Sequence, residues 1–153
     1  MLTLHNLNGV LYEYIDLGGE NPYELMGGFK RELYMWKNFD RVNAEFLPYW
    51  QYPNLITVTN YIKGAKIPED AIKASAHVHK NKGTALIILA NLDSYGHTLR
   101  VKPNIEALGL KGSAEDYVYV DPIFDNYQYP LVVDELFLDV YPQRWRAIQI
   151  IKK

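Results

Sequence analysis

His77 and His79 stand two residues apart, with Ser75 one step before them. They lie where Ile72, Ala74, Ala76 and Val78 alternate with Lys73, Ser75, His77 and His79. That period-two pattern describes a strand with one apolar face, and it turns both imidazoles to the same side. Imidazoles so placed bind a divalent metal when a neighbouring strand contributes a third ligand. Accidental matches to so short a pattern are common, so the preferred reading is a polar, solvated strand face. His77 and His79 stay as weak metal candidates, and no metal or other cofactor is assigned.

Asp116, Asp121, Asp125, Asp134, Glu135 and Asp139 form the densest acidic set. Two carboxylates facing each other across a cleft hydrolyse glycosidic bonds. Nothing in the spacing of these six creates such a pair, and none sits in a calcium loop, so they read as solvated loop charges. Gly18-Gly19 and Gly27-Gly28 lack the spacing and the lysine of a phosphate loop. There is no nucleophile elbow, so no catalytic residue is assigned and an independent enzyme is the least favoured reading.

Aromatic side chains are the strongest binding signal, with 13 tyrosines in 153 residues. Sugar rings have apolar faces that stack on exposed aromatic planes, and tyrosine or tryptophan adds a polar handle. Trp50, Tyr52, Phe124, Tyr127 and Tyr129 are the candidate carbohydrate platform, with Trp36 and Tyr49 beside them in the sequence-based group. The same rings also suit core packing or docking against a neighbouring domain, which is the preferred explanation.

Composition narrows the classes. A net charge of -2 gives no basic footprint for nucleic acid. The longest apolar run, Ala85 to Ala90, is too short for a membrane helix, so neither nucleic acid nor membrane is expected as a partner. Cysteine is absent, and the first residues lack the basic and apolar segments of a signal peptide.

The elements that must carry these residues are mainly strands. Ala71 to Val101 reads as three successive strands of one antiparallel sheet, with turns at Asn81-Lys82-Gly83 and Asn91 to Gly96. Ala85 to Ala90 is apolar on both faces and is expected at the centre of a sheet covered on two sides. Further strands are expected at Leu55 to Ile62, Tyr117 to Val120, Leu136 to Val140 and Arg144 to Ile151, the last sealing the sheet. Asp121 to Pro130 reads as a loop, and Pro103 to Leu110 as one helical turn ended by Gly109.

The first fifty residues have a different grammar. Val10 to Leu17 reads as a strand, and Asn21-Pro22 opens a helix with Leu25, Phe29, Leu33 and Trp36 on one buried face. The expected organisation is therefore a strand-helix segment over 1–50 and an antiparallel β-sandwich of about seven to eight strands over 51–153.

Lys73-Ala74-Ser75-Ala76, then Ala85 to Leu92 with its Ala-Asn-Leu ending, then Ala107-Leu108-Gly109-Leu110 follow one another in a recognisable order. This order resembles the C-terminal β-sandwich domain of bacterial glycoside-hydrolase-like (β/α)8-barrel proteins, over roughly Phe46 to the C-terminus. The resemblance implies a non-catalytic accessory module that packs against and stabilises the catalytic barrel of the same parent chain. It also implies a parent that is secreted or periplasmic. A carbohydrate-binding module is the alternative, and the barrel's catalytic acids have no counterpart here.

Overall fold

The computed structural model describes Glu32 and residues 35–123, 125–130 and 136–153, with backbone only for 125–130. The described part is mainly β. Its strands are β1 (Glu45–Leu47), β2 (Ile56–Asn60), β3 (Ile72–His79), β4 (Thr84–Asn91), β5 (His97–Pro103), β6 (Tyr117–Asp121), β7 (Asp125–Pro130), β8 (Leu136–Val140) and β9 (Trp145–Lys152). They form two antiparallel sheets, a six-stranded one in the order β1-β3-β4-β9-β6-β7 and a three-stranded one in the order β2-β5-β8. The expected β-sandwich is present.

The main core lies between the sheets. Ala74, Ala76 and Val78 of β3 meet Leu99 and Val101 of β5 and Leu136, Leu138 and Val140 of β8 there, with Ile87, Leu89, Ile148 and Ile150. Strict alternation along β5 and β8 places one side of the small sheet in this core and the other in solvent.

β4 fits its all-apolar sequence. Ala85, Ile87 and Leu89 face the small sheet, while Leu86 and Ile88 pack against Met35, Trp36 and Phe39. Glu32 and residues 35–39 are helical, and Asp40 stops the helix in a left-handed conformation at φ 56°. The strand and helix start expected over 10–31 lie outside the described residues.

Several expectations are corrected by the topology. β5 is not a third strand beside β3 and β4; it pairs with β2 and β8 in the other sheet. Buried Asn91 explains the crossing. Its amide donates to the carbonyls of Tyr95 and Val140 at 2.7 and 3.0 Å, tying the end of β4 to the opposite layer. Asp125 to Pro130, read as loop, is strand β7 in a hairpin with β6. β9 sits inside the large sheet between β4 and β6. β1, from before residue 51, pairs with β3 and so joins the large sheet.

Both helical and turn expectations in the middle of the chain hold locally. Gly83 takes φ 63° after the Lys80–Lys82 turn. Leu108 N–H bonds the Asn104 carbonyl at 3.0 Å, and Gly109 ends that turn at φ 69°.

Candidate functional site

Ser75, His77 and His79 do share the outer face of β3, but that face is not solvated. All three are buried, His77 and His79 beneath the helix of 35–39 and its end at Asp40, and Ser75 beside Tyr49 just after β1. Phe46 is the register partner of His77, and their rings stack at 4.8 Å. Trp36 meets the same imidazole edge-on at 5.3 Å. His77 is 3% exposed, and neither ring nitrogen has a hydrogen-bond partner among the described residues. Burial, then the charges of Arg41 and His79, lower its pKa from 6.5 to about 3.

His79 serves the fold. Its Nε2 lies 2.8 Å from the Phe39 carbonyl and 3.1 Å from that of Asp40. Two carbonyls can only accept, so this nitrogen carries the proton and donates. Ser75 Oγ accepts from the Tyr49 backbone N–H at 3.1 Å. No group of three or more histidine, aspartate and glutamate side chains able to hold a metal occurs among the described residues.

The acidic set is dispersed. Asp116 caps its own turn by accepting from the Ser113 N–H at 2.8 Å. Asp139 accepts from the Thr98 hydroxyl at 2.6 Å. Asp121, expected as a solvated loop charge, is buried and paired with Arg146 at 2.6 Å. Asp134 and Glu135 lie outside the described residues, and Asp125 begins β7.

Among the aromatic candidates, Trp36 is buried in the second apolar cluster. Trp50 and Tyr52 follow β1 and are 55% and 39% exposed. Tyr127 and Tyr129 belong to β7, at the opposite edge of the large sheet from β1. Four strands separate β1 from β7 in that sheet, so the two pairs sit at its two ends. Phe124 lies outside the described residues.

A cleft of about 350 Å³ opens beside the first pair, between β2 and β3. Tyr49, Pro53 and Ile56 line it together with Glu69, Asp70 and Lys73, the last two joined at 2.6 Å. Tyr49 packs edge-on against Trp50 at 5.1 Å, so one wall of the cleft continues into an exposed indole. Ring faces beside carboxylates suit a hydroxylated ligand, whose C–H faces stack while its hydroxyls donate.

A second exposed group escaped the sequence reading. Tyr61 just after β2, Arg100 of β5 and Phe137 of β8 come together on the outer face of the small sheet. The alternation of β8 places Phe137 opposite the core residues Leu136 and Leu138. Only the cross-strand register shows that it meets Arg100. Comparison with protein-family models, curated proteins and solved structures gives no match to this chain.

Proposed function

We propose that this chain is a non-catalytic accessory β-sandwich of a glycoside-hydrolase-like parent, packing against and stabilising the parent's catalytic barrel through the segment that covers the outer face of its large sheet. One observation supports this reading above the rest. A two-layer sandwich needs one apolar face per sheet, and the outer face normally turns polar. Here Leu86, Ile88 and Ala147 give the large sheet a second apolar face, covered by Met35, Trp36 and Phe39 from the preceding segment. Burying each large side chain contributes about 2 kcal/mol, so a few such contacts can fix a neighbouring unit.

The test uses the parent protein with and without the sandwich. Removing it is expected to lower the barrel's melting temperature and soluble yield, while the chain alone leaves a panel of chromogenic glycosides intact. Enzymic turnover by the chain alone would overturn the reading. So would a barrel whose melting is indifferent to the loss of the sandwich.

A carbohydrate-binding module is the second reading, favoured by Trp50 standing exposed next to the Tyr49 wall of the cleft. Retardation in a native gel containing neutral polysaccharide, lost in Trp50→Ala, is its expected signature. Equal mobility with and without the polysaccharide excludes it.

A further inference from the structure

The cleft between β2 and β3 opens where the ladder of β1 stops. β1 pairs with β3 only as far as Leu47 opposite Ala76, and Pro48 has no N–H with which to continue. The next N–H, that of Tyr49, goes to the Ser75 hydroxyl at 3.1 Å and fixes Tyr49 against β3. Gln51 and Tyr52 N–H groups both bond the Pro48 carbonyl, at 3.0 and 2.9 Å, so Tyr49 and Trp50 stand in a closed turn. Edge-on contacts with Tyr49 at 5.1 Å and Phe46 at 6.2 Å brace the Trp50 indole while leaving it 55% exposed.

A second closed turn lines the same cleft. Ala71 N–H bonds the Pro68 carbonyl at 3.0 Å, which puts Glu69 and Asp70 at the two central positions just before β3. The two carboxylates differ in state. Asp70 is paired with the Lys73 ammonium at 2.6 Å. Glu69 is exposed and makes no hydrogen bond or ion pair among the described residues. The lining therefore sets two carboxylates against one cation, and the uncompensated charge falls on Glu69.

At about 350 Å³ the cleft is within the range of roughly 300–1,000 Å³ typical of ligand pockets. A free carboxylate binds an ammonium group more strongly than a hydroxyl, because the hydrogen bond is charge-assisted on both sides. An aromatic face attracts the same cation and stacks the C–H side of a sugar ring. We infer that this cleft prefers an amino sugar, with Glu69 as the partner of its ammonium group and the Tyr49–Trp50 pair as the platform for its ring. The inference rests on the carbohydrate-binding reading and narrows it to sugars that bear a free amine.

Isothermal titration of the full chain with glucosamine hexamer and with N-acetylglucosamine hexamer tests the preference, in a mildly acidic buffer that keeps the amine protonated. The glucosamine hexamer should bind about fivefold more tightly, the scale of one exposed ion pair assisted by a ring. That advantage should shrink as salt rises from about 50 to 300 mM. Glu69→Gln should abolish it and leave the affinity for N-acetylglucosamine hexamer unchanged. Lys73→Gln should enlarge it, because Asp70 then becomes a second free carboxylate. Trp50→Ala should weaken both ligands alike.

Equal affinity of the wild type for the two hexamers overturns the inference and leaves the carbohydrate-binding reading standing. Binding of neither overturns both. A preference that survives Glu69→Gln overturns the inference as well. So does a lysine hexapeptide that binds as tightly as the glucosamine hexamer, because a chain of net charge -2 would then be attracting cations without selecting a sugar.

Discussion

Phe46 of β1 and His77 of β3 are register partners whose rings stack with centroids 4.8 Å apart and planes 27° from parallel. The pairing joins the edge strand to the covered face and seals an imidazole where it must stay neutral. Burial disfavours the cation first, and the charges of Arg41 and His79 add to it.

Acid should therefore loosen this protein through His77. The folded pKa of about 3 lies below the unfolded value of 6.5, so the unfolded chain binds more protons between the two. Stability from this residue is complete above pH 6.5 and declines as pH falls toward 3. Moving from pH 7.5 to 5 should cost roughly 2 kcal/mol. Urea unfolding at the two pH values checks this, with His77→Leu as the comparison. The variant should lose about 2 kcal/mol less than the wild type over the same interval. Equal losses in the two proteins would remove His77 from the account.

Trp36 is expected to hold the cover but not the sandwich. It meets His77 edge-on at 5.3 Å, lies under the Arg41 guanidinium at 4.6 Å and donates to Glu32 Oε1 at 3.5 Å. Trp36→Ala should cost roughly 3–5 kcal/mol, the range for a buried aromatic. Hydrogen exchange localises the damage: amides of β1 and the outer face of β3 speed up, while those of β5 and β8 keep their protection. Uniform acceleration across both sheets would mean that the two cores form one cooperative unit.

Asn91 couples the layers. Its side-chain amide serves the Tyr95 and Val140 carbonyls, and its oxygen accepts from the Asp93 N–H at 2.9 Å. Asn91→Ala takes this donor from the Tyr95, Val140 and Tyr141 carbonyls, and each buried loss of that kind costs about 1–3 kcal/mol. A fall of roughly 2–4 kcal/mol by chemical denaturation is expected. Asn91→Asp should be no better, because a carboxylate cannot donate to a carbonyl. Wild-type stability in either variant would show that the turn crosses between sheets without this anchor.

Strand positions were legible because alternation is a local property. Leu136, Leu138 and Val140 read as one buried face, and they are. Partners were not legible, since β5 leaves β3 and β4 for the other sheet through a turn that looks like an ordinary hairpin connection. β7 was hidden by the turn-forming and proline residues around it, Pro122, Asp125, Asn126 and Pro130. His77 looked solvated for a related reason. Polar residues alternating with apolar ones signal water on one face unless another segment covers it, and the cover here comes from residues some 40 positions earlier. Trp50 and Tyr52 were picked out correctly as exposed rings, whereas the Tyr61–Arg100–Phe137 group exists only through cross-strand register.

The last strand should decide whether the large sheet exists at all. β9 bonds to β4 along one side and to β6 along the other, so the β6–β7 hairpin reaches the rest of the sheet through it. Ile148 and Ile150 fill the main core from this strand, and Lys152 N–H closes the end of the ladder on the Gly83 carbonyl at 3.2 Å. Edge strands can fray singly, but an interior strand takes two ladders with it when it leaves. A chain ending at residue 143 should show no cooperative melting, and adding the peptide of residues 145–153 should restore near-ultraviolet circular dichroism. Ile148→Ala in the full chain should cost about 2–5 kcal/mol, against less than about 0.5 for Gln149→Ala on the opposite face. A truncated chain that melts sharply near the wild-type temperature would mean that β4 and β6 find another way to pair.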